Sequence, residues 1–368
     1  MSKTSRLTYL DLLRGLAAIA VLIVHYRFFF TWPGGFSDED NLPWDVVLGP
    51  LYTQGGTAVQ LFWLLSGSIF FLMYGNDRID LKSFAIRRFA RLYPLHFATL
   101  LIIAGLQIYN LQTICRWQVY ENNDVYHFAL QLFMASNWGF EEGGSFNAPI
   151  WSISVEIIAY AVFAIFVKYL NSNLFWTSLI AILTGIAAYM LQHPILTCIS
   201  LFFLGGAIVR FRQFAAKFEM LDWVDRAARL ICPPFILAVF LYFGRVPNGI
   251  LFYLVFPAAI AWALSMDFNR SPLSAKWTWI GDISYSTYLL HMPILIAIKN
   301  WTDYRADRFE ILASPLTLIS YVAIVIAASA LSYRFFERPM QRIIRQKYDT
   351  GSNADPSFEG NKPQRQAI

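Results

Sequence analysis

Charge is what this chain has least of. Asp, Glu, Lys and Arg make up 14% of its 368 residues, against about a quarter in a soluble domain. That shortage excludes an ordinary water-soluble fold. Cysteine is scarce as well. Cys115, Cys198 and Cys232 are too few and too scattered for a disulfide framework or a zinc site, so no metal is expected. No internal repeat is visible, which weighs against transporters built from inverted repeats. The first hydrophobic segment lacks the short apolar region and small-residue cleavage site of a signal peptide. No fused soluble domain is expected at either end.

What the chain has in excess is apolar surface, 57% hydrophobic and 17% aromatic. A helical membrane span takes about 20 mostly apolar residues. Ten such segments begin near Tyr9, Gly55, Leu95, Ile150, Leu174, Pro194, Leu230, Gly249, Trp279 and Ser314. The fold class expected is an all-α polytopic membrane protein, a bundle of about ten transmembrane helices. Basic residues alternate between loops as the positive-inside rule requires. One set of loops holds Lys82, Arg87, Arg88, Arg91, Lys168, Arg210, Arg212 and Lys217, and the N-terminus and the tail from Arg334 join it. Acidic residues such as Asp38, Glu39, Glu121 and Glu142 mark the other set. Both termini are therefore expected in the cytoplasm. The formal net charge of +5 follows from these loops, and no nucleic-acid partner is expected. Residues 1–345 read as one membrane domain and 346–368 as a polar tail too poor in apolar residues to fold.

Within the first segment, YLDLLRGLAAIAVLIVHYRFFF, stand Arg14 and His25. A charge in hydrocarbon is costly and is seldom kept without a function. Eleven residues of α-helix rise about 16 Å and turn about 20° past three full turns. The two side chains thus share a helix face at opposite depths. Polar stripes recur elsewhere. Ser152, Glu156 and Tyr160 follow i, i+4, i+8, and Ser284, Tyr288 and His291 follow i, i+4, i+7, spacings that place polar groups on one helix face. By depth, His25, Glu156 and His291 fall in the outer half, while Arg14, Asp282 and the loop carrying Arg87, Arg88 and Arg91 fall in the inner half.

His25 reads as a general base, since neutral imidazole accepts a proton from an alcohol near neutral pH. Glu156 or His291 would orient it. The alternative is a histidine satisfied by a neighbouring helix. Arg14 reads as a clamp for an anionic ligand, or else as a snorkelling side chain or a partner of Asp11. Arg87, Arg88 and Arg91 are topology signals or phosphate contacts. Arg334 and Glu337 read as an ion pair or a helix-end contact. A transporter or flippase would account for the polar stripes equally well.

Seven elements, in order, resemble the membrane acyltransferase-3 family of integral membrane O-acyltransferases. They are Arg14 and His25 in the first helix, then FWLLSG with Phe62, Leu65, Ser66 and Gly67. RRFARLYP follows, with Arg88, Arg91 and Pro94, and WSISVE with Trp151, Ser152 and Glu156. Gly205 comes next. Last are GDISYSTYLLHMP, with Ser284, Tyr285, Tyr288, His291 and Pro293, and ERP, with Glu337 and Pro339. Ser68 and the pair Ile157 and Ile158 depart from the family pattern. The resemblance implies ten helices and an acyl-CoA donor from the cytoplasm, with no bound cofactor. It implies His25 as the catalytic residue and Arg14 as essential nearby, and the reading of the residues adds Glu156 as a catalytic support. Arg14, Arg88 and Arg91 would bind the donor, and Ser284, Tyr285, Tyr288 or His291 would contact the acceptor or the oxyanion. A covalent acyl-histidine stays open. The implied partners are acyl-CoA, a glycan or other hydroxyl acceptor, and the bilayer of a bacterial inner membrane. The resemblance also implies that the chain acts alone, because two-domain members carry an extra extracellular domain.

Overall fold

A computed structural model describes residues 6–31, 42–75, 79–241, 246–269, 277–303 and 305–349. It is helical, with no β-strand among the described residues. The order is α1 (Thr8–His25), a 3-10 turn (Tyr26–Phe29), α2 (Asp45–Gln54), α3 (Ala58–Tyr74), α4 (Leu81–Ile114), α5 (Val125–Leu132), α6 (Ile150–Tyr169), α7 (Leu174–Leu191), α8 (Pro194–Lys217) and α9 (Leu221–Leu241). It continues with α10 (Asn248–Ile250), a π-turn (Leu251–Val255), α11 (Phe256–Phe268), α12 (Thr278–Thr302), α13 (Arg308–Ala313), α14 (Pro315–Ser332), a second π-turn (Tyr333–Glu337) and α15 (Arg338–Tyr348).

Eight helical stretches among the described residues are long and apolar enough to cross a membrane: Thr8–Phe29, Asp45–Tyr74, Leu81–Ile114, Ile150–Tyr169, Leu174–Leu191, Pro194–Lys217, Asn248–Phe268 and Pro315–Tyr348. Only a helix satisfies its own backbone in lipid, so this is a multi-pass integral membrane protein. The other two segments read as spans fall on α9 and α12, of 21 and 25 residues. Their length suffices. What sets them apart is the charge of Asp222, Asp225, Arg226 and Arg229 on α9, and the polar run from Asp282 to His291 on α12.

Two expectations change. The segment holding Arg87, Arg88 and Arg91 is not a loop. It is the start of α4, capped by Asp80, whose side chain accepts from the backbone N–H groups of Lys82 and Ser83. Hydropathy registers only the apolar part of that helix, whereas the cap sets its true beginning. Glu337 also does not pair with Arg334. It turns inward to Arg91, and Arg334 lies over the Phe335 ring. Helix α15 runs on to Tyr348, and residues 350–368 of the expected tail lie outside the described residues.

Close backbone approach fixes the two helix pairs that matter. A Cβ on Gly67 of α3 would stand 1.8 Å from the Phe202 carbonyl oxygen, and one on Gly205 of α8 would stand 2.1 Å from that of Leu64. Likewise a Cβ on Gly281 of α12 would meet the Asp11 carbonyl of α1 at 2.4 Å. Small residues allow such approach between membrane helices. Around the α3–α8 contact the core is aromatic, with Phe70, Phe71, Phe163, Phe202 and Phe203 meeting largely edge to face. Gly67→Ala should therefore destabilise the fold by at least about 1–3 kcal/mol, the range for overpacking. Thermal unfolding of detergent-solubilised protein would show a lowered midpoint. Gly56→Ala, with nothing within 4 Å of the new carbon, should leave it unchanged.

Candidate functional site

Helix α12 carries the site because each of its polar residues meets a different neighbour. At one end of the bundle it meets the last turn of α1. There His25 Nδ1 lies 2.9 Å from the Val21 carbonyl oxygen and 3.0 Å from His291 Nε2. His291 Nδ1 lies 3.2 Å from the Thr287 carbonyl oxygen. A carbonyl only accepts, so in a neutral pair each Nδ1 carries the proton. His291 Nε2 is then an acceptor for His25, and His25 Nε2 keeps a free lone pair. His291 is fully buried, whereas His25 is partly exposed.

Around this pair stand Phe28 and Tyr288, with ring centroids 5.3 Å from His25 and 6.0 Å from His291 respectively. The Tyr288 hydroxyl donates to the Pro149 carbonyl at 2.8 Å and lies 2.7 Å from Ser152 Oγ. The polar stripe of α6 thus reaches the histidines through Ser152.

Arg14 lies at the opposite end. Its Nε and Nη2 donate to the Gly281 carbonyl at 3.1 and 2.9 Å, and Nη2 donates to Asp11 at 2.9 Å. Gly281 makes that carbonyl reachable by letting α1 and α12 touch. Arg6 extends the cluster, bridging Asp11 and Asp282 at 2.9 and 2.6 Å. Ser284 donates to the same Gly281 carbonyl at 2.8 Å. Arg14 and Asp282 therefore share one end and His25 and His291 the other, as their spacing requires.

The three arginines of α4 part company because of helical phase. Arg87 and Arg91, four residues apart, share a face and meet the C-terminal segment. Arg87 pairs with Asp349 at 2.7 Å, and Arg91 pairs with Glu337. Glu337 is buried and also accepts from Ser286 at 2.6 Å and Gln341 at 3.1 Å. Tyr285 donates to the Leu92 carbonyl at 2.5 Å, with the Arg91 guanidinium 5.4 Å from its ring centroid. Arg88 turns the other way, 4.8 Å from the Phe70 ring centroid, and its Nε is buried without a hydrogen-bond partner.

Glu156 meets Arg88 rather than His25. Its neighbours are Ser66, Tyr160 and the Arg88 charge, and its Oε1 is buried without a hydrogen bond. The expected residues thus form four groups: His25 with His291, Tyr288 and Ser152; Arg14 with Asp11, Ser284 and Asp282; Arg91 with Tyr285 and Glu337; and Arg88 with Glu156. Among the described residues no group of His, Cys, Asp or Glu side chains could hold a metal ion.

Sequence reasoning missed Asn147. It is fully buried beside the site, donating to Thr99 at 3.0 Å and to the Leu289 carbonyl at 3.2 Å. An Asn before Ala-Pro at a helix start was the only signal, and it reads equally well as a turn.

Residues 7–334 match the family model described as an acyltransferase domain. Among curated proteins, the chain is similar to acyltransferase MdmB of Streptomyces mycarofaciens, with 31% identity over 52% of this chain and 47% of that protein. It is also similar to peptidoglycan O-acetyltransferase OatA of Listeria monocytogenes serovar 1/2a, with 23% identity over 93% of this chain and 58% of that protein. The chain spans about half the length of these relatives. No solved structure matches it significantly. With the family model covering nearly all of the helical bundle, the chain belongs to the acyltransferase-3 family of membrane acyltransferases.

Proposed function

We propose that the chain moves an acyl group, acetyl in this reading, from acyl-CoA at the Arg14 end to a hydroxyl at the His25 end. The acceptor is an extracytoplasmic or lipid-linked glycan such as O-antigen or exopolysaccharide. The relative named as a peptidoglycan O-acetyltransferase supports both choices. In this scheme the membrane is a bacterial inner membrane. The Arg14 end and both termini face the cytoplasm, and α9 and α12 bring the spans to ten. Acyl-CoA is a co-substrate rather than a resident cofactor.

The observation that carries the reading is the geometry of the histidine pair, with His25 Nδ1 between the Val21 carbonyl and His291 Nε2. With its Nδ1 proton held by Val21 and His291, His25 offers Nε2 as the base. The acceptor hydroxyl gives its proton to Nε2, and its oxygen bonds to the thioester carbonyl carbon. The C–S bond then breaks, and the coenzyme thiolate takes the proton back from the imidazolium. Of Ser284, Tyr285 and Tyr288, only Tyr288 stands beside the histidines. Its hydroxyl proton goes to the Pro149 carbonyl, so it would turn from Pro149 to donate to the oxyanion, with Ser152 at 2.7 Å as its neighbour.

Among the donor-binding candidates, Arg14 and Arg91 already have carboxylate partners. Arg88 has the Glu156 charge nearby but no hydrogen bond at its buried Nε, so it is the guanidinium with a donor to offer a phosphate. Protein in proteoliposomes, given acetyl-CoA and a glycan acceptor, should release free thiol in step with acetylated glycan. Arg88→Ala should raise KM for acetyl-CoA by about tenfold or more, the value of a charge-assisted hydrogen bond. Movement of donor or glycan across the bilayer without thiol release would overturn the enzyme reading in favour of a transporter.

A further inference from the structure

Between α5 and α6 the chain folds back at the same end of the bundle as His25. Phe28 of the 3-10 turn packs on Tyr120, and Phe146 packs on Phe128 of α5. This loop encloses a half-open cavity of about 300 Å³, with Trp151 on its wall and Gln131, Ser136 and Glu141 among its lining. Each of these three carries a buried side-chain oxygen with no hydrogen-bond partner: Gln131 Oε1, Ser136 Oγ and Glu141 Oε2. Gln131 is 1% exposed and Ser136 8%. A buried polar oxygen left unpaired costs about 1–3 kcal/mol, so three in residues around one cavity favour an occupant that donates hydrogen bonds, reached by small side-chain turns because each oxygen is closed to water in this conformation.

The walls are held in place. Gln131 Nε2 donates to the Ser145 carbonyl at 2.5 Å, and its backbone carbonyl lies 2.7 Å from His96 Nε2. His127, also on the lining, is 2.9 Å from Asp124 through Nδ1 and takes the Glu142 N–H on Nε2 at 3.2 Å. The Asp124 carboxyl is held below its usual range, chiefly by the His127 backbone N–H. Asn137, at the cavity, and Met134 have φ of 63° and 53°, left-handed values that persist only where surrounding contacts impose them.

We propose that this cavity is a subsite for one uncharged sugar ring of the acceptor. Its hydroxyls would donate to Gln131, Ser136 and Glu141, and its apolar face would lie on Trp151. No Lys or Arg lines the cavity, so an anionic ring is disfavoured. The volume sits at the low end for ligand pockets and fits one ring rather than a chain. Trp151 precedes Ser152, whose hydroxyl meets Tyr288 beside His291. A ring seated here would leave the next residue of the glycan directed at the histidines. The subsite rests on the acyl-transfer reading above for its purpose, but not for its test.

The test uses the full chain in nanodiscs without donor. N,N′-diacetylchitobiose is the neutral probe, glucuronic acid the anionic one, and saturation-transfer NMR the readout. The disaccharide's ring protons should receive saturation from the wild type. Glu141→Gln and Trp151→Ala should each weaken its binding by about tenfold, while Trp151→Phe keeps it within about threefold. Glucuronic acid should bind more weakly than the disaccharide. His25→Ala should bind the disaccharide like the wild type. No saturation in the wild type, equal binding by every variant, or a preference for glucuronic acid would each overturn the subsite. If His25→Ala still transfers acetyl while Glu141→Gln loses the sugar, the catalytic reading falls and the subsite stands.

Discussion

His25→Ala should reduce acetyl incorporation into the acceptor by about 10²- to 10⁴-fold, the contribution of a positioned general base. The variant should still reach the membrane in normal amounts, because the partly exposed imidazole hydrogen-bonds only the Val21 carbonyl and His291 and otherwise stacks on Phe28. The companion variant is more discriminating. His291→Ala removes the acceptor for the His25 Nδ1 proton but leaves Val21 in place. It should cost less than His25→Ala, mainly in kcat, with KM for acetyl-CoA nearly unchanged. His291→Gln, which restores an amide oxygen as acceptor, should recover part of the loss. Mass spectrometry of acceptor glycans from cells carrying each variant measures all three. Wild-type acetylation in His25→Ala cells would remove the imidazole from the chemistry. A His291→Ala effect confined to KM would remove the positioning role.

The spacing of Arg14 and His25 was legible because an α-helix converts eleven residues into a known rise and turn. In the structure they face opposite ends of the same α1–α12 contact. The stripe Ser284, Tyr288, His291 was legible as a face, but not its partners. Ser284 turns back onto the Gly281 carbonyl of its own helix, while Tyr288 ends on Pro149 and His291 on His25, because successive turns of α12 touch different parts of the chain. Periodicity identifies a face and is silent on which neighbour covers it. The same silence hid the division among Arg87, Arg88 and Arg91. Their phase becomes readable only when α4 is known to begin at Leu81, and hydropathy begins it fourteen residues later, near Leu95. Glu156 was set beside His25 by its depth and by the stripe it shares with Ser152 and Tyr160, and neither separates a side chain facing α1 from one facing Arg88. The cavity beside α5 was illegible for another reason. Its walls join the end of α5, the start of α6 and the loop between them, where Asn137 is left-handed, and no period in the sequence encodes their meeting.

The C-terminal segment is fastened through a buried carboxylate. Glu337 is 2% exposed, and its carboxylate meets Arg91, Ser286 and Gln341. Removing one partner of a buried pair leaves the other charge uncompensated, a loss of about 3–5 kcal/mol. Arg91 is 25% exposed, so water relieves part of that, and Glu337→Ala should fall near the lower figure. Thermal unfolding followed by size exclusion should show a large drop in midpoint for Glu337→Ala and a smaller one for Glu337→Gln, which keeps an acceptor for Ser286. The double variant Arg91→Ala with Glu337→Ala should be more stable than the sum of the two single losses, since groups in direct contact couple by about 0.5–3 kcal/mol. The cycle also separates two roles for Arg91. If its main task is to fasten the C-terminal segment to α4, restoring stability in the double variant should bring KM for acetyl-CoA back toward the wild-type value. If Arg91 grips donor phosphates as well, KM should stay high in every protein that lacks it, however stable that protein is.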